Sequence, residues 1–391
     1  MRCLNLIRDW DLRVLLLVFA AGVLTSTAAD ATTWRVARDG TGDFMTVGVA
    51  VDAAASGDTI SIAPGIYPET PEYQTPSRLV NAIAYVLQSE LTIIGDDRDT
   101  VILGGDTQAP NRELGPTGFA VATGSIRLRG VTVRNSASGI DANGEWVDVE
   151  DCRFVGGWQG VRNTLTGMVT VRDCVFEGHE DAGVMVYEVR GATGAIVENC
   201  EFVGNGLGID FQPRNCIVLD SSFSGGIVGV QVSFGGSGQI ERCTFAGQGN
   251  YGVVGTGGSQ VFLSDCVFDS DMGVNVQVEG YLEGSGNDLA GGTWATLEFT
   301  RLSTIIFHGN HILNAGGWSV RAISGPEPIK YFDLSGNYWG TTDTAQMDEW
   351  IYDRNDRETY WAIVDYLPLA GQPIPTGESS MGRLKARFSD Q

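Results

Sequence analysis

A short phrase recurs along the middle of the chain and constrains its fold more than any other feature: VDVEDCRF (147–154), VTVRDCVF (169–176), AIVENCEF (195–202), CIVLDSSF (216–223) and VFLSDCVF (261–268), with a shorter relative, QIERCTF, ending at Phe245. The phenylalanines Phe154, Phe176, Phe202, Phe223, Phe245 and Phe268 are separated by 22, 26, 21, 22 and 23 residues. A near-constant step of this length is the signature of a solenoid, in which each repeat is one turn of chain packed only on its neighbours. The register extends with weaker residues to Val133 upstream and to Leu289, Ile312 and Trp339 downstream. About ten coils follow from the phrase itself, and the apolar stretches around Ile60 and Ile93 add the first ones.

A second ladder lies a few residues after each phenylalanine, reading Gly, apolar, variable, usually apolar: GIDA from Gly139, GVRN from Gly160, GVMV from Gly183, GIDF from Gly208, GVQV from Gly229, GVVG from Gly252 and GVNV from Gly273. Each is a short strand with alternating faces. One coil therefore holds three strands: one ending near Val149, one carrying Cys152 and Phe154, and one after Gly160. Asp or Asn at 151, 173, 199, 220 and 265 stands between the first two, where residues that tolerate left-handed backbone make a sharp bend. The predicted fold is all-β: a right-handed parallel β-helix of about 22-residue, three-strand coils, with a short N-terminal capping helix and a C-terminal cap. Leucine-rich repeats share the period but fix Leu and Asn positions that this chain lacks.

Cys152, Cys174, Cys200, Cys243 and Cys266 occupy one repeat position, with Ser221 filling the gap. They alternate with Arg153, Val175, Glu201, Thr244 and Val267, which places the sulfurs on the phenylalanine face. A buried ladder of free thiols is the expectation, although neighbouring coils lie within disulfide reach.

The ends divide the chain further. Arg2, Arg8 and Arg13 precede an apolar run, Val14 to Leu24, and small residues, which reads as a signal peptide over 1–29 cut after Ala28 to Ala31. Residues 30–70 read as the N-terminal cap and first coil, with a helix from Val47 to Ala55. The β-helix follows over 71–340, a C-terminal cap over 341–371 and a mobile tail over 372–391. No other segment is apolar and long enough to cross a membrane. The expected location is outside the cytoplasm: secreted, periplasmic or at the cell surface. A net charge of −23 argues against nucleic acid as a partner.

The elements DGTGDF, AVDAA, GDTI and APGIYPE between residues 34 and 70 resemble the opening of secreted right-handed β-helix proteins of the pectin-lyase-like group, which includes pectin methylesterases. The segment GNYWGTTDTAQMDEWIYDRNDRETYWAIVDYLPL resembles the last coil and cap of exported bacterial β-helix repeat proteins. Together with the coils, the resemblance covers 34 to about 370. It implies the fold and a polysaccharide or surface polymer as partner. It does not transfer catalysis, because QAVALR- and DFIFG-type segments, the NTDG, GHG and RIK elements and DPHE are all absent.

Candidate chemistry concentrates on the outward position of the Gly-ladder strand: Asp141, Arg162, Met185, Asp210, Gln231, Val254 and Asn275. Residues recurring every ~4.8 Å suit an extended polymer. Asp141, Arg162 and Asp210 are the catalytic candidates, as base, metal ligand or clamp on the carboxylate of a uronate sugar, and Gln231 and Asn275 are binding candidates. The longest coil adds Tyr187, Glu188 and Arg190 as a binding loop. No cofactor is evident. Carboxylate clusters supply donors for Ca²⁺, but in no recognisable order, and His308 and His311, three apart on a strand, do not converge on a metal. The expected function is polysaccharide binding by one face of the rod, with a divergent lyase, esterase or hydrolase as the alternative.

Overall fold

The computed structural model describes residues 31–75, 78–107, 115–164, 167–187, 194–269, 272–300, 303–323 and 328–371. The signal-peptide and tail expectations, together with Glu188 and Arg190, lie outside the described residues.

From residue 32 onward the chain winds as a parallel solenoid with three long sheets along its length. The first sheet stacks twelve strands from Thr33–Val36 to Thr304–Phe307, and the second eleven, from Gly65–Tyr67 to His311–Ile312. The third stacks thirteen, including Ser138–Ala142, Gln159–Asn163, Ala182–Val186, Leu207–Phe211 and Val228–Val232, and ends on Ile351–Tyr352. Each strand pairs in parallel with its copy one coil away. The described exception is the antiparallel hairpin of Glu72–Gln74 with Leu79–Val86.

The bend between the first two strands has the predicted left-handed backbone: φ is 51°, 54°, 53°, 49° and 53° at Asp151, Asp173, Asn199, Asp220 and Asp265. Arg242 occupies the same place at 53°. What holds the bend is the backbone. The amide of Asp151 donates to Arg172 O, that of Asp173 to Glu198 O, and that of Arg242 to Ser264 O, so each bend is tied to the next coil.

Inside, the six phenylalanines form one continuous stack, with ring centroids 4.6 to 5.1 Å apart and planes within 7° of parallel. Isolated rings prefer offset or edge-on contacts; here the strand spacing imposes the stack. The stack also explains the glycine ladder. A Cβ at Gly208 would lie 2.5 Å from the Gly229 carbonyl oxygen of the next coil and 2.7 and 2.9 Å from ring carbons of Phe223, and Gly139, Gly160, Gly183, Gly229 and Gly252 face the carbonyl of the following coil and its phenylalanine in the same way. Where the stack ends and Leu289 follows Phe268, the glycine position carries Asn275, then Thr296 and Ser319, all fully buried.

The cysteines Cys152, Cys174, Cys200, Cys216, Cys243 and Cys266 are free and buried. Within the ladder each thiol faces the carbonyl two residues back, as Cys200 does Glu198 O at 3.2 Å and Cys243 does Glu241 O at 3.3 Å. Ser221 donates to Leu219 O at 2.8 Å in the same way. A short side chain with a polar hydrogen fits this position, which is why serine replaces cysteine there.

Both ends of the apolar interior are covered. Helix α1 (Val47–Ala53) buries Val47, Ala50 and Val51 over the first coil. Behind it, the Asp58 carboxylate accepts from the amides of Thr32 (2.8 Å) and Ala55 (2.9 Å) and from Trp34 Nε1 (3.0 Å). At the other end the fully buried Trp339 and Met347 of helix α2 (Thr344–Trp350) close the last coil. No helix among the described residues is long and apolar enough to cross a membrane.

Candidate functional site

The third sheet places one residue per coil in a single outward row. Its register is Tyr85, Ala120, Asp141, Arg162, Met185, Asp210, Gln231, Val254, Gln277, Glu298 and Arg321. At ~4.8 Å per step the row runs for roughly 48 Å. The expected row is corrected at one point. Asn275 pairs one residue before Val276, at the glycine position, and is buried in the bend with its Oδ1 accepting from the amide of Gly291 at 3.2 Å. Gln277 takes the outward place. The turn before Val274–Val278 is as long as the one before Tyr251–Gly255; Gly273, two residues ahead of the true ladder position, imitates its glycine, and an offset of two keeps the alternation, so the pattern alone does not reveal it.

At the N-terminal end the row opens into a cleft of about 400 Å³ lined by Arg78, Tyr85, Leu87, Ala120, Asp141 and Asn143. The antiparallel hairpin overhangs it. Asp141 is held by Arg162, whose Nη1 lies 2.6 Å from Asp141 Oδ1, with both side chains only about one-sixth exposed. The buried Nε of Arg162 makes no hydrogen bond among the described residues.

Two coils on, Asp210 is 4% exposed. Burial pushes its carboxyl above the usual carboxylate range; the hydrogen bonds from Gln231 and Ser233 pull the other way, and the charge of Asp181 adds to the rise. Gln231 Nε2 and Ser233 Oγ both donate to Asp210 Oδ1 at 3.2 Å. Asp181 accepts from Gln159 Nε2 at 2.6 Å, and the same nitrogen lies 3.0 Å from Met185 Sδ. Gln159, Asp181, Met185, Asp210, Gln231 and Ser233 thus form one largely buried polar cluster in the middle of the row. A carboxyl whose pKa is raised by burial and by the charge of a second carboxylate is shifted in the direction that proton donation requires.

Of the sequence candidates, the structure brings Asp210 and Gln231 together and pairs Asp141 with Arg162, while Asp141 and Asp210 stand three strands apart. Tyr187 follows the strand Ala182–Val186, and its amide donates to Asn163 O. Gln159 was missed because its place in the repeat holds Ser138, Ala182, Leu207 and Val228 in neighbouring coils, and Ser233 because it lies just past a strand end; only the register sets them beside Asp210. Towards the C-terminus the row carries a second pair, Glu298 with Arg321 at 2.7 Å, whose guanidinium lies 5.3 Å from the Trp294 ring.

Away from the row, His308 Nδ1 lies 2.7 Å from Ser335 O, and His311 lies 3.9 Å from Asp288 against the Tyr338 ring. In the C-terminal cap, Asp353 is buried and accepts from the amides of Asn355 and Val364, which is a turn-holding role.

Among curated proteins the chain is similar to pectinesterase 31 of Arabidopsis thaliana, 27% identical over an alignment of 191 residues, which covers 42% of this chain and 54% of that protein. The chain thus spans about half the length of this curated relative. Among solved structures, an α-1,3-glucanase catalytic unit from Streptomyces thermodiastaticus aligns over 85% of this chain and 66% of its own, with 13% identity and a TM-score of 0.45. A pectin methylesterase from Erwinia chrysanthemi aligns over 76% and 94%, with 9% identity and a TM-score of 0.30. The family model described as the right handed beta helix region matches residues 112–238 and 188–325, together more than half of the chain. With the three parallel sheets and the repeat already described, the chain belongs to the right-handed β-helix family.

Proposed function

We propose that this protein binds an extended polysaccharide along the outward row of the third sheet, centred on the cluster of Asp210, Gln231 and Ser233. The observation that carries this reading is the row itself: carboxylate, guanidinium and amide groups repeat at strand spacing over many coils and share one face. Sugar hydroxyls donate and accept, which suits Asp141, Asp210, Gln231 and Gln277. The pectinesterase similarity supports a polysaccharide as the ligand class. A net charge of −23 favours a neutral polymer over a polyanion unless Ca²⁺ bridges the two. Export through the N-terminal segment belongs to the same proposal, since it would put the protein where such polymers lie.

One observation favours a second reading, a carbohydrate-active enzyme of lyase, esterase or hydrolase type. Burial raises the Asp210 carboxyl above the usual carboxylate range, with the charge of Asp181 adding to the rise, and a general acid needs a shift in that direction.

The test is a panel of neutral and acidic polysaccharides on the mature protein, with and without Ca²⁺, scoring binding and released reducing or unsaturated products together. Binding that falls at least tenfold in Asp210→Asn, without product, supports the recognition reading. Product release abolished by Asp210→Asn supports the enzyme. Absence of both binding and turnover across the panel overturns the proposal.

A further inference from the structure

Phe234 stands in the turn between the strands Val228–Val232 and Ser237–Glu241. Its φ is 53°, a conformation in which a bulky aromatic residue is rare, and its side chain is 80% exposed. One coil further the equivalent turn carries Gly257 at φ 63°. The turn therefore requires the left-handed backbone in both coils, and glycine meets that requirement without strain. Phenylalanine is the costlier choice, and with its ring in solvent it gains no packing in return. It directly follows Ser233, whose hydroxyl donates to Asp210. Strained backbone of this kind persists where a side chain is needed for something other than stability.

We propose that Phe234 is a ligand-stacking residue at the edge of the Asp210 cluster, its ring receiving the apolar face of one pyranose ring whose hydroxyls meet Asp210 and Gln231. This rests on the polysaccharide reading above. A pyranose presents C–H groups on its flat faces, and the electron-rich face of an aromatic ring attracts them as it attracts other positive edges. An exposed ring beside a polar cluster supplies the two halves of such recognition, stacking for affinity and hydrogen bonds for orientation.

The experiment compares the mature wild type with Phe234→Gly and Phe234→Trp, measuring thermal stability without ligand and affinity for a polysaccharide the wild type binds. The expected result is a split. Phe234→Gly melts higher than wild type because the turn loses its strain, yet binds at least tenfold more weakly, while Phe234→Trp retains binding. A residue with only a structural role would not separate these readouts. A lower melting temperature for Phe234→Gly overturns the inference with or without ligand. Unchanged affinity in Phe234→Gly overturns it while leaving the binding row intact, whereas a wild type that binds no polysaccharide overturns the row and Phe234's role together.

Discussion

His179 is wholly buried in the bend between the second and third strands of its coil, and neither ring nitrogen has a hydrogen-bond partner among the described residues. The ring faces the backbone of Phe154 and Gly156, and burial drives its pKa from 6.5 down to about 4. In the folded protein it is therefore neutral down to pH 4, whereas in the unfolded chain it takes up a proton near pH 6.5. Between these values the unfolded state binds more protons, so this group removes stability as the pH falls through the window. The loss is about 2 kcal/mol at pH 5 and levels off at about 3 kcal/mol below pH 4. One coil on, the same position holds Asn205, whose Nδ2 donates to Phe176 O at 2.9 Å and whose Oδ1 accepts from the His179 amide at 3.0 Å. His179→Asn can repeat those bonds towards Phe154 and Gly157 and has no proton to gain. Urea denaturation of both proteins at fixed ionic strength from pH 7.5 to 5 isolates the effect, because the acidic shell titrates alike in each. The variant should gain about 2 kcal/mol relative to wild type across that range, whatever their difference at pH 7.5. Parallel pH profiles would refute the reasoning.

Two further outcomes follow from the interior. Gly208→Ala drives a methyl against the Gly229 carbonyl and the Phe223 ring and should cost about 1–3 kcal/mol; Phe223→Leu, which imitates Leu289 beside Asn275, removes the ring contact but not the carbonyl one and should recover only part of that loss in the double variant, and strictly additive losses in a double-mutant cycle would count against the pairing of the two ladders. Cys243→Ser repeats the bond that Ser221 makes to Leu219 O, so its melting temperature should stay close to wild type, while a thiol reagent should label the ladder cysteines only once the protein is unfolded; rapid labelling of the native protein would contradict their burial.

The row of polar groups was partly legible before the structure. Asp141, Arg162, Asp210 and Gln231 could be picked out because they hold the variable position of a regular strand. Gln159, Asp181 and Ser233 could not, because they lie at strand ends and turns whose lengths vary between coils. Gly273, two residues ahead of the true ladder position, also made Asn275 read as outward, whereas Asn275 holds the buried glycine position. Phe234 gave no signal, since an aromatic residue in a turn is conspicuous only when its φ and its exposure are known.

The residues alone determined the periodicity, the three-strand coil, the left-handed Asp and Asn bends and the inward faces of Cys and Phe, because each depends on local alternation and on side chains that tolerate a particular backbone. Tertiary structure decided why glycine recurs, since only stacking brings the Gly229 carbonyl and the Phe223 ring within 3 Å of where a Gly208 Cβ would lie. It also decided which polar groups meet, because Asp210, Gln231 and Ser233 become neighbours through inter-coil register, and register is set by the lengths of turns and the packing of the whole rod rather than by any single repeat.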